Sequence, residues 1–127
     1  MKAVRVLIVD DSTPIRLLLQ EALSRDPEIE VVGSAPNGEL ALLAVRAQRP
    51  DAIVLDLEMP VMNGLEFLER LRTGAPRTPV IIFSSFSLHG AEITLKALWA
   101  GASDYVTKPV DTEELLTCME RWLGAGR

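Results

Sequence analysis

Ile53-Val54-Leu55-Asp56-Leu57-Glu58-Met59-Pro60-Val61-Met62-Asn63-Gly64 (IVLDLEMPVMNG) opens as an unbroken apolar run and then acquires two acids, a proline and an Asn-Gly pair. A short apolar run without polar alternation reads as a strand covered on both faces, the signature of a parallel sheet between two helix layers. Such a strand has no cheap place for a carboxylate in its interior. The position of Asp56, where the run ends, therefore asks what the carboxylate is for.

The same pattern recurs on either side. VRVLIVD (Val4 to Asp10), IEVVGSA (Ile29 to Ala35), DAIVLD (Asp51 to Asp56), PVIIFS (Pro79 to Ser84) and SDYVT (Ser103 to Thr107) read as five strands. Between them run helical segments. The first has Ser12 or Thr13 as N-cap and Pro14 at its first position, with Ile15, Leu18, Leu19 and Ala22 at helical spacing. Asn37-Gly38 turns the chain into a second helix, which Pro50 stops. Asn63-Gly64 opens a third. AEITLKALWA, closed by Gly101, is a fourth, and DTEELLTCMERWL, with Asp111 and Glu114 spaced as a capping box, is a fifth. Strand and helix alternating five times predict an α/β fold: a doubly wound five-stranded parallel sheet in order 2-1-3-4-5, flavodoxin-like, with five flanking helices.

Bulk properties narrow the function. The chain has 127 residues, 48% of them hydrophobic and 24% charged, which suits one globular domain with a real core. A net charge of −5 argues against a nucleic-acid binder, which carries a basic stripe. One cysteine, Cys118, allows no internal disulfide and points weakly to a reducing compartment. MKAVRVLIVDD lacks the longer apolar core of a secretory signal, and no stretch approaches the roughly 18 apolar residues of a transmembrane helix. The expectation is a soluble cytoplasmic domain without a membrane partner.

In doubly wound sheets ligands bind beyond the carboxyl ends of the strands, at the switch in strand order. Those ends carry Asp10-Asp11, Asp56, Ser84 and Thr107-Lys108-Pro109. Three carboxylates in one cleft raise one another's pKa unless a cation relieves them. Lys108 is one such cation. A hard divalent ion, Mg²⁺ or Mn²⁺, is another, and it completes its shell with water and phosphate oxygens. The expected substrate is a phosphoryl group. Asp56 is the expected nucleophile, and Lys108 and Ser84 are placed to hold phosphoryl oxygens. Each residue also has a plainer reading. Asp10 and Asp11 are acids favoured at a helix N-terminus, Ser84 and Lys108 strand-end and surface polarity, Tyr105 a strand aromatic and Glu58 a loop acid. His89 reads as an exposed loop residue and Trp99 and Trp122 as helix residues, packed or half-packed. Convergence at one sheet edge is what favours the chemical reading.

VDDS after strand one, LDLEMPVMNG after strand three, FSS after strand four and GASDYVTKP around strand five, in this order, resemble the receiver domain of two-component response regulators over essentially the whole chain. The resemblance implies phosphorylation at Asp56. It implies Mg²⁺ held by the carboxylates of Asp11 and Asp56 and the backbone carbonyl of Glu58, with Asp10 reaching the metal through water. It makes Ser84 the switch hydroxyl, Lys108 the phosphoryl contact, Tyr105 the aromatic switch and Pro109 the residue after it, often in cis. Gly64 serves backbone geometry in the loop after Asp56. Residues 1–123 form the domain and residues 124–127 a tail or the start of a linker. The implied partners are a sensor histidine kinase and a downstream output domain or target protein. The resemblance is strongest to the receiver half of the chemotaxis protein-glutamate methylesterase, whose catalytic domain these residues do not contain. Ser85 departs from the small Ala of many receivers, and Glu58 stands at a variable position.

Two other classes use similar residues. A phosphatase of the haloacid dehalogenase type places its Asp-x-Asp motif on the first strand, whereas here Asp56-Leu57-Glu58 follows the third. A flavodoxin-like electron carrier needs a phosphate-cradling loop after strand one, and none is present.

Overall fold

A computed structural model of the chain describes residues 3–74, 77–85, 87–109 and 111–123. The elements follow one another as β1 (Val4–Val9), α1 (Thr13–Ser24), β2 (Ile29–Ala35), α2 (Gly38–Gln48), β3 (Ala52–Leu55), α3 (Gly64–Gly74), β4 (Val80–Ser84), α4 (Leu88–Trp99), β5 (Asp104–Thr107) and α5 (Thr112–Leu123). The five strands form one parallel sheet in the expected order β2-β1-β3-β4-β5. Residues 124–127, read as a tail, lie outside the described residues.

Strand alternation divides the core into two layers. Val6 and Ile8 of β1, Val54 of β3 and Ile81 and Phe83 of β4 pack under α1 and α5, against Leu19, Leu23, Leu115 and Met119. Their neighbours Leu7, Val9, Ile53, Leu55 and Ile82 face the other way, against Phe67, Leu68 and Leu71 of α3 and Ala97 of α4. Every residue of β3 is buried, which explains its uninterrupted apolar sequence.

One helix start differs from expectation. α4 begins at Leu88, three residues before the expected Ala91, capped by the Ser87 hydroxyl, which accepts from Gly90 N at 2.9 Å. Gly90 is inside the helix because a Cβ there would lie 2.4 Å from the Ser85 carbonyl oxygen, so only glycine lets the first turn pack this closely. His89 therefore rides on α4 and is not a loop residue, although it is exposed. At α3, Asn63 and Glu66 cap each other: Glu66 N donates to Asn63 Oδ1 at 3.0 Å and Asn63 N to Glu66 Oε1 at 3.3 Å. At α1 the cap is Ser12, whose Oγ accepts from Ile15 N at 3.3 Å. At α5 Asp111 Oδ1 accepts from Glu114 N at 3.1 Å.

Trp99 is 91% exposed, so the packed reading fails for it. Trp122 is partly exposed, and its indole donates to Asp104 Oδ2 at 2.8 Å.

Candidate functional site

The sheet ladder runs one residue past β1, β3 and β5 and so fixes the site backbone. Asp10 N donates to Ala35 O at 3.0 Å, Asp56 N to Val9 O at 2.8 Å and Lys108 N to Ser84 O at 2.7 Å. These bonds bring Asp10, Asp56, Ser84 and Lys108 to one edge, as their strand-end positions predict. The loop after Asp56 is held against α3 by Gly64 N donating to Leu57 O at 2.9 Å. A Cβ on Gly64 would stand 2.6 Å from both the Asp56 carbonyl oxygen and Leu57 Cα, so the α3 N-terminus approaches the Asp56 backbone as no other residue would allow. The Lys108–Pro109 peptide bond is cis.

Asp10 is 1% exposed and Asp56 5%, while Asp11 is exposed. One carboxylate oxygen from each lies within 4.8 Å of the other two. Lys108 Nζ stands 3.5 Å from Asp56 Oδ1 and 3.8 Å from Asp10 Oδ2. Its ammonium also lies 5.5 Å from the Phe83 ring centroid, a cation–π distance. Asp10 Oδ1 accepts from Ser12 N at 2.9 Å, and Asp56 Oδ1 accepts a longer bond from Glu58 N at 3.4 Å. Asp10 Oδ2 is buried without a hydrogen-bond partner. It does lie near Lys108, but at ion-pair rather than hydrogen-bond distance.

Burial, then the neighbouring Asp10 charge, pushes the Asp56 carboxyl up to about 6, against the pull of Lys108. Burial also raises Asp10 above the usual carboxylate range. One ammonium therefore undercompensates these acids. An orphaned buried oxygen and three converging hard donors fit a divalent cation.

Asp11, Asp56, Glu58, Ser84, Ser85 and Lys108 share a cavity of about 210 Å³. Ser84 and Ser85 also line a second cavity of about 560 Å³ between α4 and β5, with Thr94, Leu95, Leu98 and Tyr105 around it. Ser84 thus stands in the wall between the carboxylate cluster and Tyr105, which is half-exposed. Sequence reasoning missed two neighbours. His89 Nε2 lies 3.6 Å from Glu58 Oε1, a contact carrying no sequence signal because it joins α4 to the loop after β3. Thr94 is buried and bonds back to Gly90 O at 2.7 Å.

The response regulator receiver domain model matches residues 6–120. The chain belongs to the response regulator receiver family. It is 48% identical over 121 residues to a protein-glutamate methylesterase/protein-glutamine glutaminase of Nocardioides sp., covering 95% of this chain and 33% of that protein. It is 55% identical over 106 residues to another from Xanthomonas campestris pv. campestris, covering 84% of this chain and 29% of that one. This receiver spans about a third of the length of the curated relatives it matches. Among solved structures, the response regulator domain of Thermotoga maritima CheB superposes with a TM-score of 0.88 at 36% identity, covering 99% of this chain and all of that one. Vibrio cholerae chemotaxis protein CheY4 superposes with a TM-score of 0.84 at 32% identity, covering 97% and 100%. The receiver is therefore of the chemotaxis, CheB-like type.

Proposed function

We propose that this receiver accepts a phosphoryl group from a histidine kinase on Asp56 and converts it into a change of surface. The observation that carries the proposal is the buried Asp56 carboxylate, fixed at the end of β3 and facing Lys108 Nζ at 3.5 Å beside two further carboxylates. An Asp56 oxygen attacks phosphorus, the bond from phosphorus to the donor's imidazole nitrogen breaks, and the electron pair leaves with the imidazole. Lys108 offsets charge on the phosphoryl oxygens, and the Ser84 hydroxyl donates to one of them. The carboxylates of Asp11 and Asp56 and the Glu58 carbonyl would hold Mg²⁺ or Mn²⁺, with Asp10 acting through water. The metal supplies charge neutralisation and a template for the phosphoryl oxygens.

The cavity of about 560 Å³ beside Tyr105 supports the switching step. Once Ser84 turns toward the phosphoryl group, Tyr105 has room to move inward, which biases a two-state surface built from α4, β5 and α5. Leu88, Leu95, Trp99 and Tyr105 already expose apolar area on that surface. The product is a conformational signal, so the chain alone catalyses only its own phosphorylation and dephosphorylation. Its similarity to methylesterases supports a role as the control domain of such an enzyme in the cytoplasm. Among the described residues no helix is long and apolar enough to cross a membrane.

Incubation with Mg²⁺ and a small acyl-phosphate or phosphoramidate donor tests this. The expected product is a labile adduct of one phosphoryl group that Asp56→Asn abolishes. Rapid multiple turnover of a phosphomonoester would instead favour the phosphatase reading.

A further inference from the structure

At the opposite end of the sheet, the C-terminal turns of α2 and α3 flank a groove of about 500 Å³. Leu42, Val45 and Leu71 give it apolar walls, and Arg46, Arg49 and Arg70 stand around it. All three arginines are exposed, in a chain of net charge −5. Basic residues at helix C-termini ordinarily serve the last carbonyls and the dipole. At α2 another arginine does that work, and at α3 the arginine of the last turn is spent beyond the helix. The Arg5 guanidinium donates to the carbonyls of Gln48 and Arg49 at the end of α2. The Arg72 guanidinium donates to Thr78 O at 2.8 Å and Gly101 O at 2.7 Å.

Among the described residues the side chains of Arg46, Arg49 and Arg70 make no hydrogen bond or ion pair. Among the described residues no nearby acid forms an ion pair with them. Asp51 accepts from Arg5 N at 2.9 Å, and Glu66, one turn before Arg70, is committed to Asn63 N. Arg49 is held in the left-handed region at φ 46°, which ends α2 and leaves its side chain outside the helix ladder.

We propose that this groove docks a short acidic peptide segment of a partner protein, with one or two apolar side chains seated between α2 and α3 and its carboxylates paired to Arg46, Arg49 and Arg70. Three unspent guanidiniums around apolar walls match acidic side chains on an apolar anchor better than either feature alone. The groove lies at the N-terminal ends of the strands, across the sheet from Asp56. Docking there is therefore independent of phosphorylation and serves as a constitutive tether, distinct from the α4–β5–α5 surface. The peptide proposal does not rest on the phosphoryl-transfer reading.

The probe is a fluorescent acetylated peptide of glutamates interrupted by two leucines, titrated at low salt with anisotropy and methyl NMR readouts. Saturable binding is expected, with shifts confined to Leu42, Val45 and Leu71. Arg46→Glu, Arg49→Glu or Arg70→Glu should each weaken it at least tenfold while the methyl spectra of Ile53 and Ile82 stay unchanged. Beryllofluoride with Mg²⁺ should alter the affinity by less than twofold. The proposal is overturned if peptide binding is absent, or if a serine-for-leucine peptide binds equally well. It also fails if phosphatidylglycerol vesicles bind in place of the peptide, or if the charge reversals have no effect. A tenfold response to beryllofluoride would overturn the claim of a constitutive tether.

Discussion

Asp56 carries a cost in the metal-free protein. Its folded-state pKa of about 6 lies above the usual 3.8, so between these values the folded protein binds more protons than the unfolded chain. Stability of the metal-free protein is therefore highest below about pH 4 as far as this group is concerned, and falls as pH rises through 6. Two units correspond to roughly 3 kcal/mol at most. Denaturant melts in a chelator should show this decline, and Asp56→Asn should remove most of it. Millimolar Mg²⁺ at pH 7 should restore stability to the wild type and much less to the variant. Glu58 presents a separate question, since its carboxylate borders the cavity and faces His89. If that side chain controls water at the phosphoryl group, Glu58→Ala changes the aspartyl-phosphate lifetime several-fold. An unchanged lifetime leaves Glu58 only its backbone role.

The elements were legible to unequal degrees, for identifiable reasons. β1, β3 and β4 follow from apolar runs, because a strand buried on both faces leaves no choice of residue, whereas the edge strands β2 and β5 are partly exposed and mix polar residues into shorter apolar stretches. The strand-end acids and Lys108 follow as well, because topology alone puts them on one edge. The start of α4 was hidden because Gly90 reads as a breaker, and its real reason is the 2.4 Å approach to Ser85. The roles of Arg5 and Arg72 join residues 43 and 29 positions apart and leave no local pattern. The loop after β3 holds another surprise. Val61, a β-branched residue that is 74% exposed, sits at φ 69°. Val61→Asn should raise stability by up to about 1 kcal/mol in thermal melts, since Asn tolerates this region. Gly64→Ala should cost about 1–3 kcal/mol. It should also weaken Mg²⁺ binding, because its Cβ displaces the backbone of Asp56 and Leu57.

At the scale of the whole molecule, the proposed input and output sites are adjoining cavities with Ser84 in their shared wall, and the proposed tether lies at the far end of the sheet. Beryllofluoride with Mg²⁺ should shift the Trp99 indole resonance and quench or enhance its fluorescence, with Ser84→Ala reducing the response. Spectra that stay fixed would separate the chemistry from the proposed surface. The central claim is that Asp56 receives the phosphoryl group. It is tested most directly by phosphorylating the chain with Mg²⁺ and a labelled donor, trapping the acyl phosphate with borohydride and mapping the reduced residue by mass spectrometry. The account predicts a single modified position, Asp56, and no modification without the divalent cation. Trapping at Asp10 or Asp11, or an adduct of equal yield in Asp56→Asn, would contradict it.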